Sequence, residues 1–345
     1  MQKVFKNLIM LSSENITIVV QGMIIPKLTR KVLKSVRRYL PQARIILSTW
    51  QGSDTSDLDF DELVLCEDPG FFYHSKHPGI RPNNINRQIV STLSGVQQVK
   101  TPYVLKLRTD FRLTGAEFLK YFETQPNFNP EYKVFTHKIL ACCYCTRNPH
   151  DKTFPYPFHP ADIAFLGLTE DILKLFDIPL MDEKEAYWDA ENEYFNQYAA
   201  EQHLFVNCLR KQGKKINCVY YKDCSPQNVA ETEQYFTSNF IFINYKNFNL
   251  LPSKPNFFAK NELHSFETCY TQAEFSQLYN QLQNDKIKIP LIDKERLLIN
   301  VCLVIEKISK GFARSLFFVV PIRKIRKTYR PMLAEALYKI LTYFL

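Results

Sequence analysis

Glycine is scarce in this chain, with 9 in 345 residues, and so are methionine with 5 and tryptophan with 2. So few glycines exclude a collagen-like or glycine-rich low-complexity chain, and 46% hydrophobic content excludes a disordered tail. Long apolar runs are missing too. The longest near the end, Leu316 to Ile322, falls far short of the ~18 residues of a membrane-spanning helix. An export signal is equally absent: Lys3 and Lys6 precede only the brief stretch 7–11, which runs into Ser12-Ser13-Glu14-Asn15 without a small-residue cleavage site. The expectation is a body that stays in the cytoplasm. Nor is there a disulfide framework, because the nine cysteines are odd in number and scattered apart from Cys142, Cys143 and Cys145. Cys142 and Cys145 have C-x-x-C spacing, yet His137, His150 and His159 follow no usual zinc-ligand spacing, so ordinary buried thiols are expected.

What the chain does have is 27 phenylalanines, 19 tyrosines and a net charge of +9. The charge is unevenly placed. Residues 294–345 carry eleven basic and three acidic side chains, a net +8, which leaves the body close to neutral. A nucleic-acid-binding fold over the whole chain is therefore excluded as a reading. The length suggests about two domains. Composition shifts to Leu, Ile, Val, Phe, Lys and Arg beyond Leu291, which divides the chain into 1–290 and a basic, amphipathic, helical segment 291–345. Basic clusters beside amphipathic helices suit an anionic membrane surface, whereas the alternative is a helical cap with a solvated basic face.

Within the body, Ile16 to Val20 reads as a buried strand ending in Gln21-Gly22. Pro26 opens a helix through Val32, Leu33 and Val36, which Pro41 stops. Strands follow at Ala43–Trp50 and Glu62–Cys66, then an Asn-capped helix through Ile85, Ile89 and Val96, then a strand from Tyr103 to Asp110. This alternation predicts an α/β fold with a doubly wound, mostly parallel sheet. Further along, the pattern predicts a helix over 115–123, a strand over 133–139, a helix from Thr169 to Phe176 and a long helix over 191–212. Ligands of such sheets bind beyond the carboxyl ends of the strands, which singles out Gln21, Gly22, Trp50 to Asp54, Glu67, Asp68 and Asp110.

On the strand ending at Asp110, alternation puts Lys106, Arg108 and Asp110 on one face. Two cations on a central strand need anionic company. Either core carboxylates supply it, or Arg108 lies near a diphosphate while Asp110 holds a divalent ion bridging its oxygens.

The blocks Val19-Val20-Gln21-Gly22, Ser48-Thr49-Trp50 with Gly52 and Asp54, Glu67-Asp68-Pro69-Gly70, Asn84-Ile85-Asn86-Arg87-Gln88 and Leu105 to Asp110 occur in an order that resembles the WavE lipopolysaccharide synthesis family. Asp162 with Phe165-Leu166-Gly167-Leu168-Thr169, and Ala200-Glu201-Gln202-His203-Leu204, extend the resemblance over roughly 16–215. It implies a bacterial glycosyltransferase of the GT-A type, moving a sugar from a nucleotide-sugar donor to a lipid-linked or lipopolysaccharide saccharide acceptor, peripheral on the inner membrane. The rivals are a non-catalytic scaffold of surface-polysaccharide assembly and a sugar-phosphate transferase. The metal motif of that fold is Asp-x-Asp, which Arg108-Thr109-Asp110 matches only at its last position. Either Asp110 alone anchors a Mn²⁺ or Mg²⁺ ion, or Arg108 replaces part of the metal's charge.

Donor contacts are expected from Gln21, Gly22, Asp54, Asn84, Asn86, Arg87 and Arg108. Asn84, Asn86 and Arg87 fall at a helix start, where N–H groups and the dipole favour phosphate, though an Asn cap with a surface Arg is the ordinary alternative. Asp162 and Glu201 are the candidate general bases, since an acceptor hydroxyl must lose its proton. His150 and His159 flank a loop in which Tyr156 and Phe158 either stack on an acceptor sugar or cover the core.

Overall fold

The computed structural model describes residues 11–73, 82–188, 196–254, 266–316 and 323–341. The strands are β1 (Ile16–Gln21), β2 (Arg44–Trp50), β3 (Glu62–Cys66), β4 (Tyr103–Arg108), β5 (Phe111–Leu113), β6 (Ile139–Cys142), β7 (Ala164–Leu168), β8 (Phe240–Ile243) and β9 (Leu250–Pro252). The helices are α1 (Pro26–Tyr39), α2 (Ile85–Val96), α3 (Thr169–Phe176), α4 (Glu183–Ala186), α5 (Ala200–Lys211), α6 (Pro226–Asn239), α7 (Gln272–Gln283), α8 (Lys294–Leu316) and α9 (Arg323–Leu341).

Seven strands form one sheet in the order β3-β2-β1-β4-β7-β6-β8. The first four are parallel, β7 runs antiparallel to both its neighbours, and β6 and β8 are parallel. The sheet is thus mixed and mostly parallel. After β1 the chain crosses through α1 to β2, and after β3 it crosses through α2 back to the other side of β1. That reversal opens a crevice at the carboxyl ends of β1 and β4. β1 is buried along its whole length, as the β-branched run Ile16 to Val20 requires of a central strand. α2 lies close on β1 and β2 because Gly95 has no side chain: a Cβ there would meet Val19 at 2.6 Å and Ser48 at 3.0 Å.

The many phenylalanines find their use beside β8, where Phe205, Phe236, Phe240, Phe242 and Phe275 pack with ring centroids 4.8 to 6.0 Å apart. A second, two-stranded sheet pairs β5 with β9. Its ladder is continued by the Ser253 amide, which donates to the Asp110 carbonyl at 2.7 Å, so residues 110 and 253 of the sequence become neighbours.

Three sequence expectations are corrected. Residues 133–138 do not form a strand. The amides of Val134 and Phe135 donate to Asn239 Oδ1, and those of Thr136 and His137 to the Asp171 carboxylate, so side chains take the place of a ladder. The helix expected over 115–123 shrinks to a 3₁₀ turn at Glu117–Tyr121. The one expected from 191 begins at Ala200; residues 191–195 lie outside the described residues, as do 317–322 of the terminal apolar run.

The described chain divides into two compact units, one ending at Ile287 and one containing α8 and α9. No helix of the described residues is long and apolar enough to cross a membrane.

Candidate active site

At the switch point of the sheet lies a cleft of about 750 Å³. Gln21, Gly22, Asn84, Arg87, Arg108, Asp110, Asp162 and Glu201 all line it, with Trp50, Asp68 and Lys254. Residues from eight separate stretches of sequence therefore meet in one place.

The exits of β1 and β4 are tied together. Thr109 donates its amide to the Gln21 carbonyl at 3.1 Å and its hydroxyl to the Met23 carbonyl at 2.9 Å. Gly22 turns between them at φ +118°, a conformation that L side chains rarely adopt. The Gln21 side chain is held by α2, its Oε1 accepting from the Ser91 hydroxyl at 2.7 Å. The starts of α1, α2 and α5 all reach the cleft through Ile25, Ile85 and Ala200, which brings the positive dipole ends of three helices to its lining.

Arg108, the last residue of β4, grips Asp110 with two hydrogen bonds of 3.0 Å from Nε and Nη2. Its Nη1 lies 3.7 Å from Asp162 Oδ2. The second cation on Asp110 is Lys254, whose Nζ sits 2.8 Å from Oδ2. Burial raises the Asp110 carboxyl, but Arg108 and Lys254 outweigh it and bring the pKa down to about 2. One layer deeper, Lys106 is wholly buried and donates to the Asp162 backbone carbonyl. Burial pulls its pKa down to about 8 against the opposing pull of Asp162.

Glu201, also in the lining, occupies the first turn of α5, with His159 Nε2 3.3 Å from its Oε2. Burial again pushes the carboxyl up, and His159 overrides it, so Glu201 titrates well below its ordinary range. His159 is buried behind the carboxylate, and its Nδ1 has no hydrogen-bond partner. On the α2 side, Arg87 makes a bidentate pair with Asp68 at 2.7 and 2.6 Å and donates from Nη1 to Asn84 at 3.2 Å.

Two expected donor contacts lie elsewhere. Asp54 is outside the cleft lining and caps its own turn, accepting from the Ser56 amide and hydroxyl. Asn86 is buried with both ends of its amide spent on the Met181 backbone, at 2.9 and 2.8 Å. Phe158 is wholly inside the core, and Tyr156 packs against Tyr221 at 5.4 Å between ring centroids. Cys142 is wholly buried, and burial raises the Cys145 thiol well above its ordinary value.

The donor set around Asp110 does not fit a Mn²⁺ or Mg²⁺ ion. Both its oxygens already accept from cations, and an ion there would face the Lys254 ammonium and the Arg108 guanidinium. Among the described residues no cluster of three or more His, Cys, Asp or Glu is arranged to hold a metal.

The profile of the WavE lipopolysaccharide synthesis family matches this chain over residues 16–308. The chain belongs to that family. None of the curated proteins compared with it matches significantly. The matched span takes in all nine strands, every residue of the cleft and part of α8, well beyond the 16–215 over which the motifs are legible by eye. This WavE-family protein has a role in lipopolysaccharide synthesis. Lys254, absent from the sequence expectations, lies inside the span that the family profile covers.

Proposed function

We propose that this WavE-family protein is a glycosyltransferase of the GT-A type, transferring a sugar from a nucleotide-sugar donor to a lipid-linked or lipopolysaccharide saccharide acceptor. The observation that carries this reading is the lining of the cleft, which joins two kinds of group: the cations Arg87, Arg108 and Lys254, and the carboxylates Asp162 and Glu201. A diphosphate needs the first and an acceptor hydroxyl the second.

In the reaction, the bond between C1 of the sugar and the β-phosphate oxygen breaks, and its electron pair leaves on the nucleoside diphosphate. The acceptor oxygen forms the new bond to C1, and its proton passes to a carboxylate. Glu201 is our choice for that carboxylate. It stays ionised through the physiological range because His159, 3.3 Å from Oε2, holds its carboxyl low against burial. A base held so low is a weak one, so its contribution lies in being fixed and ionised at the acceptor's position. Asp162, fastened through its own backbone to Lys106, stands beside Arg108.

The acceptor's lipid would be met at the inner-membrane surface by α8. This helix exposes Leu297, Val301, Val304, Ile308 and Phe312, which share one face at helical spacing.

The test is the nucleotide product. Purified protein with native acceptor extract and a panel of nucleotide-sugars should release a nucleoside diphosphate together with transferred sugar. Release of a nucleoside monophosphate would make it a sugar-phosphate transferase, and neither product nor donor binding would leave a non-catalytic scaffold.

A further inference from the structure

Asp110 is the residue at which a donor-bridging ion is expected, yet it is already the centre of a different arrangement. Arg108 reaches it from the end of β4 through Nε and Nη2, and Lys254 reaches it from just after β9 through Nζ. Neither approach is accidental. The β5–β9 ladder and the 2.7 Å bond from the Ser253 amide to the Asp110 carbonyl fix the backbone on which Lys254 stands. The face of Phe111, 5.6 Å from the guanidinium carbon, lies under Arg108.

We propose that this clamp of Arg108 and Lys254, held by Asp110, takes the place of a divalent ion at the diphosphate of the donor, and that Lys254 is a donor-binding residue. The inference rests on the glycosyltransferase reading above and specifies how its donor site works.

Charge is the first argument. With Asp162 and the buried Lys106 counted beside Arg108, Lys254 and Asp110, three cations and two carboxylates leave one net positive charge, which is also what a divalent ion on a single carboxylate leaves. The second is donor capacity. Arg108 Nη1 makes no hydrogen bond to any described residue, its nearest carboxylate being 3.7 Å away, and Lys254 Nζ has Asp110 as its one described partner. N–H groups on both cations thus remain to meet phosphate oxygens, as a planar guanidinium and a point-charge ammonium do. The third is position: both residues line the cleft that the starts of α1, α2 and α5 also line. Asp110 in this arrangement is a positioning residue that aims two flexible side chains at one place.

The experiment is calorimetric titration of the full chain with UDP, GDP, CDP, ADP and TDP, in EDTA and again with Mn²⁺. At least one nucleotide should bind in EDTA with an affinity within about 3-fold of that in Mn²⁺. Lys254→Ala should weaken that binding by about 10- to 100-fold in both media, the worth of a charge-assisted hydrogen bond, and Lys254→Arg should restore most of it. Lys254 is partly exposed, so its substitution leaves the core intact. Binding that requires Mn²⁺, or binding indifferent to Lys254→Ala, overturns the clamp while leaving the donor site in place. No binding of any nucleotide in either medium overturns the donor site and the clamp with it.

Discussion

The cleft and the C-terminal helices both carry concentrated positive charge, and they hold it in opposite ways. In the cleft, Arg87, Arg108 and Lys254 each sit on a carboxylate at 3.0 Å or less, on backbone set by strand pairing or a helix start. In α8 the Lys310 ammonium pairs with Glu306 one turn away, while the conspicuous feature is apolar: Ile299, Cys302 and Ala313 are buried on one side and Val304, Ile308 and Phe312 are exposed on the other. Tertiary geometry thus aims the charge of the cleft at one small volume. The terminal charge is spread along helices beside an unsatisfied apolar face, which is how a surface, rather than a small ligand, is recognised.

The sharpest way to break this comparison is to remove a carboxylate without changing its shape. If, as proposed, Glu201 takes the acceptor proton, Glu201→Gln should lower turnover by about 10²–10⁴ while nucleotide affinity hardly changes. Turnover and nucleotide binding measured on the same preparation decide it. Normal turnover would pass the role to Asp162, and an equal loss in Asp162→Asn and Glu201→Gln would mean that the two act as a unit.

The next largest effect belongs to the other region. If α8 docks on anionic lipid, replacing Val304, Ile308 and Phe312 with serine should weaken binding to phosphatidylglycerol vesicles by roughly 100-fold or more, since a fully buried side chain of this size contributes ~1.5–3 kcal/mol. Binding by the unaltered protein should also fall steeply with salt, because exposed charges are screened beyond ~8 Å at physiological ionic strength. Salt-sensitive binding that ignores the serine substitutions would mean that the basic residues alone make the contact.

Legibility differs between these regions for the same physical reason. β1 to β4 and their crossover helices are readable because each is local: a β-branched run, a proline at a helix start, an apolar stripe at helical spacing. The direction of β7 is not local, since it depends on where the connection from β6 returns, and it runs against the rest of the sheet. The strand expected at 133–139 was suggested by Val134, Phe135 and Ile139, but Asn239, more than 100 residues away, captures the amides that a strand would have used. In the site, the residues at strand ends are legible because the sheet rule points to them. Lys254 is not, because only the pairing of β5 with β9 brings it to Asp110. The same strand-end rule also points to Asp54, and the helix-start rule to Asn86, yet a self-capped turn and a backbone-bound amide use them instead.

A third test asks whether the cleft's buried charge is maintained against stability. Lys106 is wholly buried, and burial holds its pKa near 8, so its charged form is costly at neutral pH. Lys106→Met keeps the length of the side chain and removes the charge, and should raise unfolding stability at pH 7 by roughly 1–4 kcal/mol. Between about pH 8 and 10.5 the unfolded chain binds more protons at this lysine than the folded chain does. Stability of the unaltered protein therefore rises with pH in that window, and the advantage of the variant shrinks. The variant should lose activity even as it gains stability, because the Asp162 carbonyl loses its donor. A destabilised variant would mean that Lys106 contributes more through its hydrogen bond and its packing near Phe165 and Phe176 than its burial costs.

The smallest of these effects tests the clamp in the folded protein without any ligand. Asp110 titrates at about 2 in place, against 3.8 ordinarily, because Arg108 and Lys254 outweigh its burial. A carboxylate depressed on folding stabilises the folded state above its unfolded value, and that stabilisation disappears as pH falls through its folded value. For Asp110 it amounts to about 2 kcal/mol, fully present above about pH 4 and lost on the way down to pH 2. Urea unfolding of the protein and of Asp110→Asn at pH 6, 4 and 2.5 should therefore show a difference that is constant between the first two and smaller at the last. Glu201, also depressed, titrates in the same direction in both proteins and cancels from the difference. A difference that persists unchanged at pH 2.5 would assign the loss to the Asn side chain's poorer fit beneath Lys254, and the two cations would then be held by something other than the charge of Asp110.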